Sequence, residues 1–371
     1  IWMITSPNIT ELSESENSFA PHRGKQMDEI TKEHQEKASR QLVMVGSLCM
    51  VTLLFAVFSM GTGSSETLDI KTTMKIMFGI QTPSELQSDI IWGLRLPRVL
   101  MAIIAGTALA TAGALMQGCL GNPLVSPLTL GVASGAALGA AIAIILGFSV
   151  FPDVAIVANA FAFSLLVVAI IIQLGSMRSV SAESYILVGI AITFISGAIV
   201  STLTYFATDA QLSQLTHWSF GSLSRPTLED TIWIGAIVLC LMPTGLVFAW
   251  DLNAMSLGGD DFAISTGVDP QRTRRNILIL SALLTSVVIS FTGLIGFVGL
   301  AAPHMSRLII GNDYRKLIPC SAVSGSLLML FADTAGRTLF APVVIPVGIM
   351  LSIIGGPVFM YLLMRHRGGV M

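Results

Sequence analysis

Charge is what this chain has least of. Only 11% of its 371 residues are Asp, Glu, Lys or Arg, against about 25% in soluble globular domains. So few charges cannot furnish a water-facing surface for a body of this size, which leaves lipid as the surrounding medium. The shortage is also local. No charged residue occurs over 99–152, and 154–177, 184–208, 231–250, 276–307 and 338–364 are similarly bare apart from His304 and the bounding Arg307. A helix needs roughly 20 such residues to cross a ~30 Å hydrocarbon core.

Other absences narrow the function. The net charge of −2 gives nucleic acid no basic field. There is no GxxxxGK(S/T) loop to cradle the phosphates of ATP, and no HExxH, CxxC or GxSxG. The five histidines (His22, His34, His217, His304 and His366) are dispersed. The four cysteines (Cys49, Cys119, Cys240 and Cys320) have neither zinc-like nor redox-like spacing. No catalytic residue, cofactor or metal site is therefore expected in this chain. Acidic side chains are nearly missing from the apolar runs. The main one, Asp333, stands four residues before Arg337, the spacing of a local ion pair on a helix. Ion-driven transporters keep carboxylates, histidines or unwound sodium sites near mid-membrane. Nothing obvious here couples to an ion, so a pathway built from these segments needs a partner that supplies energy.

What is present is a series of ten apolar segments near 42–61, 92–119, 128–150, 154–175, 184–207, 229–249, 275–294, 299–310, 315–337 and 343–364. The predicted class is an all-α integral membrane protein. The stretch 275–310 is too long for one span and too short for two, and Gly293, Gly296, Gly299 and Pro303 lie inside it. A break followed by a short helix is expected there, since irregular backbone is tolerated at membrane depth where protein or a cavity surrounds it. Basic residues support the count. Arg23, Lys25, Lys32, Lys37 and Arg40, then Arg178, Arg272, Arg274, Arg275, Arg315, Lys316, Arg365 and Arg367 fall on alternate loops. The positive-inside rule puts these, and both termini, in the cytoplasm. Lys71, Lys75, Arg95, Arg98, Arg225 and Arg337 remain on the outside. Two outer loops, 67–80 and 210–226, have the patterning of short surface helices.

Residues 1–41 form a polar extension, expected to be a disordered cytoplasmic segment with a short helix over 28–40; Met27 is an alternative start. The run 42–60 is too long for a cleaved signal peptide and reads as an anchor. The transmembrane domain covers 42–366, with a cytoplasmic loop near 251–274 and a tail at 367–371. Gly131, Gly135 and Gly139 form a GxxxGxxxG stripe, and Gly106 and Gly113 lie two turns apart, as close helix packing requires.

Particular motifs then become legible. Leu94-Arg95-Leu96-Pro97-Arg98 opens a helix that runs through Gly113 to Gln117; Asn122-Pro123-Leu124 and Leu130-Gly131 follow. Later come Gly293 to Gly299, Ala301-Ala302-Pro303-His304 with Arg307, Ala332-Asp333 with Arg337, Pro346 with Gly348, and Gly355-Gly356-Pro357. In order and spacing this resembles the permease subunits of ABC importers for iron–siderophore, haem and vitamin B12, over about 42–366. The resemblance implies a type II importer permease of ten helices, paired as a homodimer in the prokaryotic cytoplasmic membrane. It also implies two ATP-binding subunits inside, which hold ATP and Mg, and a periplasmic or lipid-anchored substrate-binding protein outside.

By the same resemblance Arg95, Arg98 and Arg337 meet carboxylates of the binding protein; snorkelling to lipid headgroups is the structural alternative. Asn122, Pro123 and Leu124 form a cytoplasmic gate, and Ser181, Ala182 and Glu183 a second gate segment, with Glu183 standing where similar chains have a small polar residue. Ser181 also suits a plain helix start. Leu257, Gly258, Phe262, Ala263 and Gly267 are the expected ATPase contacts of a coupling segment, or else belong to an ordinary amphipathic loop helix. Iron–siderophore is the expected cargo, with haem or cobalamin next; an ion-coupled carrier or a membrane scaffold without transport are the readings from other classes.

Overall fold

The computed structural model describes residues 9–63, 68–149, 151–176 and 182–366, so Ser181, Arg178 and Arg367 lie outside the described residues. Among those described, every regular element is helical. In chain order the α-helices are α1 (Ile9–Gly61), α2 (Ile70–Met77), α3 (Glu85–Ser88), α4 (Leu96–Cys119), α5 (Val132–Leu146), α6 (Ala155–Ser176) and α7 (Ala182–Tyr205). There follow α8 (Asp209–Ser219), α9 (Leu228–Val247), α10 (Ala249–Ser265), α11 (Pro270–Thr292), α12 (Val298–Ile310), α13 (Tyr314–Thr338) and α14 (Val347–His366). A π-helical stretch, Asp89–Arg95, leads into α4.

The chain divides into two compact units, Ile1–Ser47 and Leu48–Met371. In the first, the extension expected to be disordered is helical from Ile9 and continues into the first apolar run. Its Glu, Lys, Gln and Arg content favours helix even where no apolar face exists. The second unit is the bundle. Seven helical stretches of the described residues are long and apolar enough to cross a membrane: Gln35–Gly61, Glu85–Cys119, Ala155–Gly175, Ala182–Tyr205, Leu228–Val247, Pro270–Thr292 and Tyr314–Thr338. Three shorter apolar helices accompany them, Val132–Leu146, Val298–Ile310 and Val347–Pro357.

Polar residues at the loop ends start the helices. Asp69, Thr208, Thr227, Asp269 and Asp313 each accept a backbone N–H of the first turn of α2, α8, α9, α11 and α13 respectively. The segment read as starting at 128 begins as helix only at Val132. The Ser126 N–H donates to Thr129 Oγ1 at 2.8 Å and the Thr129 hydroxyl returns to the Ser126 carbonyl at 3.0 Å, which closes a turn instead. The last segment likewise begins at Val347 and not at 343, because Pro342 and Pro346 cannot donate to a helical ladder.

α4 is the axis of the bundle. Every residue from Ala108 to Cys119 is buried, and α9, α11, α12 and α13 pack around it. A helix buried on all sides must be apolar all round, and α4 carries small residues where its neighbours come closest. A Cβ on Gly106 would overlap the Gly325 carbonyl of α13, and one on Gly325 would overlap the Gly106 carbonyl. Gly113 meets Gly299 of α12 in the same way. Thr107 and Ser326 hydrogen-bond at 2.9 Å across the first of these contacts.

The expected glycine stripe is divided in its roles. Gly135 and Gly139 face the backbone of α6 at Phe163 and Asn159. Gly131 is the left-handed cap before α5 (φ 94°) and lies against Gly189 of α7, so it is a turn residue and not part of a helical face. The expected break is present: α11 ends at Gly293 (φ 79°), Phe297 takes φ 71°, and α12 starts at Val298. At ~1.5 Å per residue the 13-residue α12 is too short to cross a bilayer core alone.

Gly325→Val should therefore cost at least the ~1–3 kcal/mol of an overpacked core, or prevent recovery of folded protein. Gly93→Ala, where nothing lies within 4 Å, should stay within about 0.5 kcal/mol of the parent. Thermal unfolding in mild detergent compares them; equal midpoints would mean that α4 and α13 do not touch as described.

Candidate functional site

The two ends of α4 carry different chemistry. Its 24 residues span about 36 Å at the helical rise, so Arg98 and Cys119 lie near opposite ends of the bundle.

At the Arg98 end, Asp333 of α13 is 1% exposed and accepts two arginines. Arg98 Nε donates to Oδ1 at 2.8 Å and Arg337 Nε to Oδ2 at 3.0 Å. Arg337 continues to the Thr62 carbonyl (2.8 Å) and to Ser59 Oγ (2.7 Å), and Arg95 donates to the Met60 carbonyl (3.0 Å) and Thr73 Oγ1 (3.3 Å). The carbonyls at a helix C-terminus have no intrahelical donor and carry partial negative charge. Arg95 and Arg337 thus close the end of α1. Both are 5% exposed. Asp333 and the α1 carbonyls hold them inside the subunit. Arg98 is held through Nε alone, and its side chain is 11% exposed. All three arginines line a cavity of about 360 Å³, with Leu94, Leu223 and Val344.

Arg225 was read only as a stray outer charge. It donates to the His217 and Trp218 carbonyls at the end of α8 and to the Thr292 carbonyl, at 2.6 Å, at the end of α11. One guanidinium thereby serves two helix termini beside the break.

At the Cys119 end, α10 is two helices joined at a kink, with Gly258 at φ −149° and Gly259 at φ 71°. The first piece is tied to α13 by Asn253, whose amide donates to Asp313 Oδ1 at 2.9 Å and accepts the Tyr314 N–H at 2.9 Å. Arg307 of α12 reaches Gln117 Oε1 at 2.5 Å and the Tyr314 hydroxyl at 3.3 Å. The second piece is held by Arg274 of α11, which grips both Asp260 oxygens (2.8 and 2.5 Å) and donates to the Cys119 carbonyl at 2.7 Å.

Just beyond Cys119 the chain turns through Gly121 (φ 59°), and Asn122 Oδ1 accepts the Leu124 N–H at 2.9 Å. A cavity of about 860 Å³ has Asn122 and Pro123 on one wall, Leu257 and Gly259 on another, and Arg307 and Asp313 between. The expected gate turn and the expected coupling segment thus share one cavity. Glu183 is exposed and Ala182 half-buried in the first turn of α7.

On α10 itself Leu257, Phe262 and Ile264 are 78%, 42% and 61% exposed. Gly258 is exposed, and Gly267 (φ 87°) is exposed in the turn that follows. Ala263 is fully buried, and so faces the bundle and not a partner. It sits one residue out of register with Phe262, and Ile264 takes the outward place that Ala263 was expected to fill. Asp260, Arg274 and Asn253 were not singled out from sequence. The signal available was a basic triplet at 272–275 following an Asp-Asp pair on a predicted helix.

A profile for the FecCD transport family matches residues 50–365. The chain belongs to the FecCD transport family. The hemin transport system permease of Yersinia pestis is 37% identical to this FecCD protein, over 88% of this chain and 96% of its own. The Fe(3+)-citrate import system permease of Bacillus subtilis is 33% identical over 90% and 98% of the two chains. A solved structure, reported in an inward-facing conformation and assigned to the metal-chelate type of ABC transporter, superposes with a TM-score of 0.76 at 30% identity, covering 87% of this chain and 99% of its own. The FecCD chain is thus a multi-pass membrane permease component of an ABC transporter and not its ATPase, which sets aside the ion-coupled and scaffold readings.

The Asp313 carboxyl is held at about 2, first by hydrogen bonds from Arg315, which outweigh its partial burial. A depressed carboxyl pKa gives stability that is complete above the unfolded value, 3.8, and is lost as pH falls through the folded one. Asp313→Asn should therefore lower the unfolding midpoint by a constant amount at neutral and mildly acid pH, and the gap should close only as pH falls from about 4 towards 2. A gap already closing near neutral pH would refute the Arg315 attribution.

Proposed function

We propose that this chain is the translocation subunit of an ATP-driven importer for an iron–siderophore complex. Ten membrane segments per copy, both termini in the cytoplasm of a prokaryotic cell and pairing with a second copy complete the reading. The observation that carries it is the exposed apolar set on the kinked α10, Leu257, Phe262 and Ile264, on a helix that walls the same cavity as Asn122 and Pro123. An apolar patch on a short helix outside the lipid needs a protein to cover it. In this reading the cover is an ATP-binding subunit, which carries ATP and Mg, and its motion reaches the turn at 122–124. At the opposite end Arg98 faces the binding protein, while Arg95 and Arg337 hold the surface it docks on. The cargo assignment rests on relatives named for hemin and Fe(3+)-citrate, in both of which an organic ligand already encloses the metal.

Purification from the native membrane should recover an ATPase in stoichiometric amount with the chain. Phe262→Asp should release it, while Ala263→Gly, being buried, should not; retention of the ATPase by Phe262→Asp sinks the contact surface. Arg98→Glu should weaken binding-protein capture at least tenfold, as loss of a charge pair at an interface does, with the ATPase still attached. Uptake of radiolabelled ferric siderophore, hemin and cobalamin into cells that depend on this permease decides the cargo. The result expected is ferric siderophore; hemin alone would replace that assignment with the haem reading.

A further inference from the structure

The first piece of α10 is fastened to α13 through Asn253 and to α11 through Asp251, which accepts the Thr273 hydroxyl at 2.9 Å; the second is fastened to α11 through Asp260. Two of these fastenings lead to the foot of α4. The first runs from Asn253 to the start of α13, then through Tyr314 and Arg307 to Gln117. The second runs from Asp260 through Arg274 to the Cys119 carbonyl. Between the fastenings lies the Gly258–Gly259 kink. Gly259 has nothing within 4 Å of its missing Cβ, so packing does not select the glycine there. Its φ of 71° with ψ of −161° does, a conformation that other residues avoid. The kink separates the two pieces of α10 into distinct helices.

We infer that Arg274 and Asp260 form a transmission link, which carries displacement of the second piece of α10 to the turn at Gly121–Leu124. The inference rests on the importer reading above. Three features mark Arg274 as a link. Its guanidinium is fully engaged, with two nitrogens on one carboxylate and the third on a backbone carbonyl. A planar fork held in this way passes on rotation as well as translation, which a single contact does not. Its carbonyl partner is the last residue of α4, with the gate turn immediately beyond. Finally, the pair is lopsided: the Arg274 side chain is 5% exposed and that of Asp260 36%. The carboxylate is therefore partly open to solvent, while the arginine sits in the bundle. A brace for stability alone gains little from a half-exposed carboxylate. A lever needs one end outside and one end inside.

The test uses the complete complex, purified with its ATPase, in a background where the native cysteines are replaced. Leu124→Cys, at a 52% exposed position, reports on the turn through its rate of labelling by a water-soluble maleimide, with and without ATP. In the parent complex ATP should change that rate. In Asp260→Asn the ATPase should remain bound and hydrolyse ATP, while the ATP-dependent change in labelling shrinks roughly tenfold, within the range by which single links modulate coupling. Arg274→Lys keeps the charge and the carbonyl bond but loses the fork, and should shrink the response in the same direction; it also serves if Asp260→Asn does not fold. A full labelling response in both variants overturns the link. So does loss of the ATPase from folded Asp260→Asn, which would make Asp260 a contact residue. Absence of any ATPase from the parent complex is a different result, since it removes the importer reading and the link with it.

Discussion

The arrangement of the bundle depends on how closely other helices approach α4. Gly106 against Gly325 and Gly113 against Gly299 bring backbone to backbone, with no side chain between. In lipid no water is released when apolar helices meet, so cohesion must come from close contact and a few hydrogen bonds. The small residues of α4 supply the contact, and Thr107 with Ser326 supplies a hydrogen bond beside it. Because α4 is enclosed, its ends are the places where its position can be sensed or altered. The ion pairs of Asp333 and of Arg274 lie there.

The two ends solve different electrostatic problems. At one, Asp333 is buried among arginines and would be costly if unpaired; Arg98 and Arg337 hold it, and Arg337 joins Arg95 on the carbonyls of α1. This end is rigid. At the other, Arg274 and Asn253 tie a kinked helix to the bundle by side chains alone, around a large cavity. This end can move.

Much of this was legible in the sequence, for reasons tied to particular residues. Bare runs gave the apolar helices, and Gly293 and Gly296 marked the break before α12. The patterning of 67–80 and 210–226 yielded α2 and α8, and Asp333–Arg337 lay at helical spacing. What escaped was of two kinds. Some contacts join distant parts of the chain, such as Arg98 with Asp333, 235 residues apart, and Arg95 with the end of α1. No periodicity signals these. Others turn on one residue of register. Gly131 caps α5 instead of lining it, and Ala263 points inward beside an outward Phe262. A helical face can be read from sequence, but its edges are set by packing. The extension is helical from Ile9, in a stretch whose polar composition gave no apolar face to read.

The closing of α1 by Arg337 has a bearing on how the protein is made. The acceptors, Ser59 and Thr62, leave the ribosome long before their donor, which lies 275 to 278 residues further on. At typical synthesis rates of 5–20 residues per second that interval is roughly a quarter of a minute to a minute. Through it the first membrane helix stands in the bilayer with part of its terminus unlatched, open to water at the interface or to whatever insertion machinery attends it. Completion of the latch waits for α13. The residues that close the end of α1 would thus complete their contacts only once the chain has been threaded nearly to its end.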